Sequence, residues 1–238
     1  MGHNYAVVLA GGKGTRMGND IPKQYIQING RPVLYYSLSV FEECPFIDEI
    51  ILVTIKKDIE YCMEEIVRPN DFSKVRHVVA GGRERYESVY SGLRTIEQTD
   101  GYVFIHDGAR PCINQRLLDI LYDDVIKYKT SVAAVRAKDT VKISDGSSFV
   151  VNTPERDNVW IVQTPQVFET RAILEAYEKM MRLLREGKSP LNITDDAMVM
   201  ENFGTCKVRL TEAFYGNIKV TTAEDLFTVQ NILKNAKN

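Results

Sequence analysis

The sequence predicts an α/β protein: a single domain built on an open, mostly parallel twisted sheet with helices on both faces. Three observations predict it. Short apolar runs rich in β-branched and aromatic residues recur at Tyr5–Leu9, Glu49–Val53, Val75–Val79, Tyr102–Ile105 and Ser131–Val135, as strands buried on both faces should. Amphipathic stretches separate them, and strand–helix alternation of this kind implies right-handed βαβ units. The 238 residues suffice for one large core, and no repeat, low-complexity tract or Pro/Gly/Ser-rich linker divides them.

The elements follow in order. Tyr5–Leu9 runs directly into a glycine-rich loop. Between the third and fourth strands, Val89, Leu93 and Ile96 recur at helical spacing within residues 84–96; after the fourth, Leu117, Leu118, Leu121 and Val125 do the same. Residues 140–143 and 148–151 flank Ser144-Asp145-Gly146-Ser147, and Asp-Gly is a hairpin signal. A lone two-stranded hairpin is marginal in water. This one carries Val141, Ile143, Phe149 and Val151, so it packs either at the edge of the chain's own sheet or on a second subunit. Thr221-Thr222-Ala223-Glu224 has capping-box spacing and opens a last helix whose Leu226, Val229, Ile232 and Leu233 face the core.

Composition bounds the function. Hydrophobic residues are 44% and charged residues 26%, with 30 Lys plus Arg against 32 Asp plus Glu. A formal charge of -2 argues against a broad nucleic-acid surface but not against positive charge gathered in one cleft. No apolar run approaches the roughly 18 residues of a membrane span. Met1-Gly2-His3-Asn4 lacks the basic start of a signal peptide, so a cytoplasmic protein is expected. Cys44, Cys62, Cys112 and Cys206 are far apart and read as small buried apolar residues rather than a zinc site or disulfide framework. His3, His77 and His106 have no metal-ligand spacing.

The strongest local signal is Leu9-Ala10-Gly11-Gly12-Lys13-Gly14-Thr15-Arg16-Met17. Glycines after a first strand let the backbone approach a ligand, and successive N–H groups form an anion-binding nest. Met17 stands where the third glycine of a dinucleotide fingerprint belongs, and Gly14 where the Ser or Thr of a Walker loop belongs. This loop carries its own cations instead, Lys13 and Arg16, with Lys23 following in Pro22-Lys23-Gln24. Such a cluster beside a nest suits a triphosphate; a glycine turn with solvated charges is the plainer alternative.

With Gly81-Gly82-Arg83-Glu84-Arg85 leading to Ser88, His106-Asp107-Gly108-Ala109-Arg110-Pro111, Asp139-Thr140-Val141-Lys142, Arg156 with Trp160, Gln163-Thr164-Pro165-Gln166, Thr194-Asp195-Asp196-Ala197 and Asn217-Ile218-Lys219, the chain resembles the 2-C-methyl-D-erythritol 4-phosphate cytidylyltransferases of the non-mevalonate isoprenoid pathway. The likeness runs from about Tyr5 to Leu226. Two positions depart from it. Ala10-Gly11-Gly12 replaces the commoner A-A-G, a variant also found in ribitol-5-phosphate cytidylyltransferases, and Arg83 stands where an acidic residue is usual. Arg156 with Trp160, and Thr194-Asp195-Asp196-Ala197, favour the methylerythritol type. The ribitol type, another polyol-phosphate transferase and a non-catalytic nucleotide-binding module are the alternatives; a dinucleotide-dependent dehydrogenase is weakened by Met17.

The resemblance implies a Rossmann-like nucleotidyltransferase without a fused cyclase. A phosphate monoester oxygen attacks the α-phosphorus of CTP, and pyrophosphate leaves. With a second pKa of about 6, that nucleophile is largely dianionic at neutral pH. No nucleophile–His–acid constellation is needed, and none is evident. The resemblance assigns catalytic roles to Arg16, Lys23, Arg156 and Lys219. It assigns CTP contacts to Ala10, Gly11, Gly12, Lys13, Gly14, Thr15, Gly82, Ser88 and Asp107, with Lys13 serving through either its side chain or its backbone N–H. Second-substrate contacts fall to Asp107, Thr140, Arg156, Thr194 and Lys219. Mg²⁺ is the expected cofactor, held mainly through phosphates, with Asp107 the candidate ligand; Asp107 reads also as a ribose or second-substrate contact, and a helix cap or a partner of Arg110 is the plainer alternative. His106 reads as structural. Residues 138–158 form a β-arm within the single domain spanning 1–238, and the resemblance implies a homodimer in which the arm carries Arg156 into the partner's site opposite Lys219. Neither nucleic acid nor membrane is an expected partner.

Overall fold

A computed structural model describes residues 2–12, 21–188 and 192–235. In chain order its principal elements are β1 (Tyr5–Leu9), α1 (Val33–Glu43), β2 (Glu49–Thr54), β3 (Val75–Ala80), α2 (Arg85–Leu93), β4 (Tyr102–Asp107), α3 (Gln115–Tyr128), β5 (Thr130–Arg136), β6 (Ile143–Ser144), β7 (Val150–Asn152), β8 (Trp160–Glu169), α4 (Thr170–Arg185), α5 (Asp196–Phe203), β9 (Leu210–Glu212) and α6 (Ala223–Asn235). Seven strands form one sheet in the order β9-β5-β8-β4-β1-β2-β3. Strand β8 is antiparallel to β4 and β5, while the other neighbouring pairs are parallel. The predicted α/β class and mostly parallel sheet are what the chain adopts.

Alternation along the strands sorts the core into two layers. Ala6, Val8 and Phe104 pack with Leu34, Leu38 and Phe41 of α1 and Leu117, Leu121 and Val125 of α3. Tyr5, Val7 and Ile105 face the other way, against Val89 and Leu93 of α2, Ile173 and Tyr177 of α4 and Val199 of α5. Fully burying one large apolar side chain contributes about 1.5–3 kcal/mol, so both helical layers are held firmly to the sheet. A smaller cluster of Ile28, Val33, Tyr36, Val220 and Val229 docks α6 beside α1.

Local chemistry sets the helix ends that matter for the site. The Asn114 side chain accepts from the Leu117 N–H at 3.0 Å and starts α3. Glu84 and Glu87 form a capping box at the start of α2. The last helix is capped differently from expectation. Asp225 Oδ2, rather than Glu224, accepts from the N–H groups of Thr221 and Thr222 and from the Thr221 hydroxyl. Cys44, Cys62 and Cys112 are buried, but Cys206 is only half-buried.

The hairpin also differs from the simpler expectation. Strands β6 and β7 form their own two-stranded sheet, not bonded to the main one, and they are shorter than the flanking apolar residues suggested. The Asp145 carboxylate accepts from the N–H groups of Ser147 and Phe149, and Ser148 takes a φ of 67°. The turn is therefore organised by the aspartate side chain and is longer than a two-residue Asp-Gly turn. The arm projects where β5 and β8 leave the sheet, with Arg136 stacked 4.4 Å from the Trp160 ring at its base. Phe149 is 73% exposed and Val151 63%.

Candidate active site

The order of the strands makes the cleft. From β1 the chain builds β2 and β3 to one side and then crosses to place β4 on the other, so β1 and β4 mark the point where ligands bind in such sheets. Leu9 and Asp107, their last residues, are register partners. Gly108 follows, its N–H donating to the Leu9 carbonyl at 2.9 Å. A Cβ there would stand 2.7 Å from Leu34 Cδ1 and 3.0 Å from the Leu9 carbonyl oxygen, so glycine relieves crowding at this close approach.

A cavity of about 720 Å³ opens over the carboxyl ends of β1 to β4. Gly11 and Gly12 form one side. A Cβ on Gly11 would lie 4.0 Å from Ile55, and one on Gly12 would lie 3.8 Å from Lys23 Cε. Among the described residues no packing demands glycine at either position; the bare backbone leaves room for a ligand on this side, with the end of the Lys23 side chain beside it. Buried Gln24 donates to the Ala10 carbonyl at 2.6 Å, tying Pro22-Lys23-Gln24 to the start of the glycine loop. Opposite, Gly82 donates its N–H to Ser88 Oγ at 3.1 Å, and that hydroxyl donates to the Glu84 carbonyl. Glu87 accepts from the N–H groups of Arg83 and Glu84. The N–H groups of Gly82, Arg83 and Glu84 are thus taken by the side chains of Ser88 and Glu87, and the Glu84 carbonyl by the N–H and hydroxyl of Ser88.

At the cavity floor, Asp107 accepts from Lys219 Nζ at 2.7 Å on one oxygen and from Arg85 Nε at 3.3 Å on the other. Burial alone would raise its pKa; Arg85 and then Lys219 override that and hold the carboxyl well below the ordinary carboxylate range. Asp107 pairs with these two cations rather than with Arg110, whose guanidinium donates to the Asn217 carbonyl at 2.8 Å. Arg85 also forks onto Asp196. His106 is fully buried, with Nδ1 against the Thr164 hydroxyl and Nε2 against the Arg110 carbonyl. Burial pushes its pKa down to about 3, so the imidazole is neutral and locked, as a structural residue is. A second cavity of about 250 Å³ adjoins the first, lined by Arg110, Gln163, Thr164 and Thr194 and sharing Arg85, Asp107 and Lys219 with it.

The model of the family "2-C-methyl-D-erythritol 4-phosphate cytidylyltransferase" matches residues 5–235. The chain belongs to this family. A relative of the same name from Lachnospira eligens is 49% identical over 223 residues, covering 94% of this chain and 96% of that one. The crystal structure of 4-diphosphocytidyl-2C-methyl-D-erythritol synthase from Anaerococcus prevotii superposes with a TM-score of 0.85 at 34% identity, covering 98% of this chain and 96% of that one. The Francisella tularensis 2-C-methyl-D-erythritol 4-phosphate cytidylyltransferase superposes with a TM-score of 0.79 at 31% identity, covering 97% and 99%. Membership makes the chain a nucleotidyltransferase of the cytidylyltransferase kind.

Within this cytidylyltransferase fold, Ala10, Gly11, Gly12, Lys23, Gly82, Ser88, Asp107 and Lys219 come together around the larger cavity, and Thr194 joins Asp107 and Lys219 at the smaller one. Thr140 and Arg156 line neither cavity and stand exposed on the arm. Lys13, Gly14, Thr15 and Arg16 lie outside the described residues. Sequence reasoning gave no role to Gln24, Arg85, Asp196 or Asn217. The motifs Gly81–Arg85 and Thr194–Ala197 contained Arg85 and Asp196, but their meeting across the fold had no local signal. Among the described residues no cluster of three His, Cys, Asp or Glu side chains could hold a metal ion. Asp107 is the carboxylate at the shared wall of the cavities, and both its oxygens face cations. A divalent ion held mainly through phosphate oxygens needs few protein ligands, and Asp107 could turn to one only by releasing Arg85 or Lys219.

Proposed function

We propose that this cleft transfers CMP from CTP to 2-C-methyl-D-erythritol 4-phosphate, forming 4-diphosphocytidyl-2-C-methyl-D-erythritol and pyrophosphate. The observation that carries the reading is the placement of Lys23 beside the bare glycine backbone, and of Lys219 across from it at the wall between two adjoining cavities. The larger cavity takes CTP: Gly11 and Gly12 admit the triphosphate, and the wall formed by Gly82 and Ser88 receives the base. The smaller takes the polyol phosphate beside Thr194 and Lys219. An incoming phosphate is already dianionic near neutral pH, so no base is required, in keeping with a locked, neutral His106. The protein supplies in-line positioning and cations where charge develops on the α-phosphate, the main catalytic device in such transfers. Lys23 and Arg16 fill that role; Lys219 grips the acceptor's phosphate. Mg²⁺ is the proposed cofactor; it would be held mainly through the CTP phosphates, with Asp107 the candidate protein ligand, and would supply neutralisation of phosphate charge.

Thr140 and Arg156 complete the acceptor site from a second copy of the chain. Their exposure on an arm with bare Phe149, Val150 and Val151 supports a two-fold homodimer with exchanged arms. No helix among the described residues is long and apolar enough to cross a membrane, and a cytoplasmic setting accords with the nucleotide substrate. Pyrophosphate release from each of the four nucleoside triphosphates tests the reading, with methylerythritol phosphate, with ribitol 5-phosphate and with neither. Product should require CTP, Mg²⁺ and methylerythritol phosphate together. Equal turnover of ATP, or hydrolysis of CTP by water alone, would contradict it.

A further inference from the structure

The wall shared by the two cavities is built by Arg85, Asp107 and Lys219, and of these Arg85 has no role in the reaction so far described. It stands in the first turn of α2. Its two terminal nitrogens donate to the two oxygens of Asp196 at 2.9 and 2.8 Å, a fork that fixes the plane of the guanidinium as well as its place. The Asp196 side chain is 0% exposed, and the hydroxyl of buried Tyr177 donates to it at 2.6 Å. The remaining nitrogen, Nε, donates to Asp107 at 3.3 Å. A carboxylate as buried as Asp196 needs a cation, and Arg85 supplies it. Arg85 is thus anchored independently of Asp107, and Asp107 keeps its other oxygen for Lys219.

We infer that Arg85, anchored by Asp196 and Tyr177, is a positioning residue: it fixes the Asp107 carboxylate at the shared wall and so sets where the Lys219 ammonium stands when the acceptor's phosphate arrives. The inference rests on reading the cleft as a transferase site. A lysine could not substitute, because its donors share one nitrogen on a flexible stem and cannot reproduce the rigid planar fork that joins two carboxylates here. Arg85 acts through Asp107 and needs no contact with the reacting atoms.

Arg85→Gln alone strands the buried Asp196 charge and endangers the fold, so the main variant is R85Q/D196N, which removes both charges. It is compared with R85K, D107N and the triple variant R85Q/D196N/D107N. Folding is checked by thermal midpoint, CTP binding by calorimetry without acceptor, and turnover by pyrophosphate release. R85Q/D196N should hold CTP within about threefold of wild type yet lose about 10²-fold in kcat/KM for the acceptor, the scale of an ångström's misplacement. R85K should fail to restore it. The triple variant should fall no more than about threefold below D107N, because coupled residues do not add. CTP affinity lost in parallel with kcat/KM would overturn the inference, as would losses that multiply in the triple variant. A wild type that transfers to no polyol phosphate overturns the transferase reading and this inference with it; an active wild type with unaffected variants overturns this inference alone.

Discussion

Alanine at Arg156 in one preparation and at Lys23 in another tests whether the arm belongs to a neighbour's site. Lys23 lines the larger cavity of its own chain, whereas Arg156 lies in the exposed turn Arg156–Asn158 at the end of the arm, just before β8. If two chains exchange arms, every site takes Lys23 from one chain and Arg156 from the other. Each variant homodimer then lacks one cation in both sites and should be nearly inactive. Unfolding the two variants together and refolding them one to one makes half the dimers hybrids. In each hybrid one site lacks both cations and the other lacks neither, so activity should return to about a quarter of wild type for a two-fold dimer. The assay is pyrophosphate release, with the dimer fraction followed by analytical ultracentrifugation. Mixed dimers that remain inactive would show each site to be built within one chain. A protein that stays monomeric at micromolar concentration would end the reasoning at its first step.

Lys23→Ala should lower kcat by about 10²-fold or more while CTP binding changes little, as expected for a cation acting mainly in the transition state; an unchanged kcat with only a raised KM for CTP would refute it. Phe104→Ala should cost about 3–5 kcal/mol in urea unfolding, because Phe104 is 0% exposed between Phe41, Phe46 and Tyr122; a loss below about 1 kcal/mol would contradict the packing described. His106 should make stability fall with acid. Its pKa drops from 6.5 in the unfolded chain to about 3 on folding, so only the unfolded state takes up a proton between those values. Its contribution is therefore complete above pH 6.5 and lost as pH falls toward 3, by up to about 1.4 kcal/mol per pH unit. Between pH 6 and 4.5, His106→Gln should show a shallower decline than wild type by about that slope in denaturant titrations; parallel declines would mean that His106 is protonated in the folded protein.

Where a segment's own pattern settles its state, the sequence was sufficient. Strands β1 to β5 were legible because a run such as Tyr5–Leu9 is apolar on both faces whatever its neighbours. The glycine loop was legible as a candidate anion site from its bare backbone and nearby cations alone, with a plain turn as the alternative. Strand β8 was not legible as a strand. Pro165 lies inside it and argues locally against a central position, yet the register shift between Val162 and Gln166 absorbs the missing donor between two flanking strands. The three residues of β9 are strand only because β5 offers an edge. The cap of α6 turned on which of two neighbouring acids faces the Thr221 and Thr222 N–H groups. What only the tertiary structure decided is which charges meet. Asp107 had Arg110 three positions away but pairs with Arg85, 22 away, and Lys219, 112 away, while Arg85 reaches Asp196 across 111 positions. Composition and spacing announce which charges a site contains, because each residue type carries its chemistry with it. Ion pairs form over a few ångströms of space, and the order of the strands in the sheet, not distance along the chain, sets who stands within that reach.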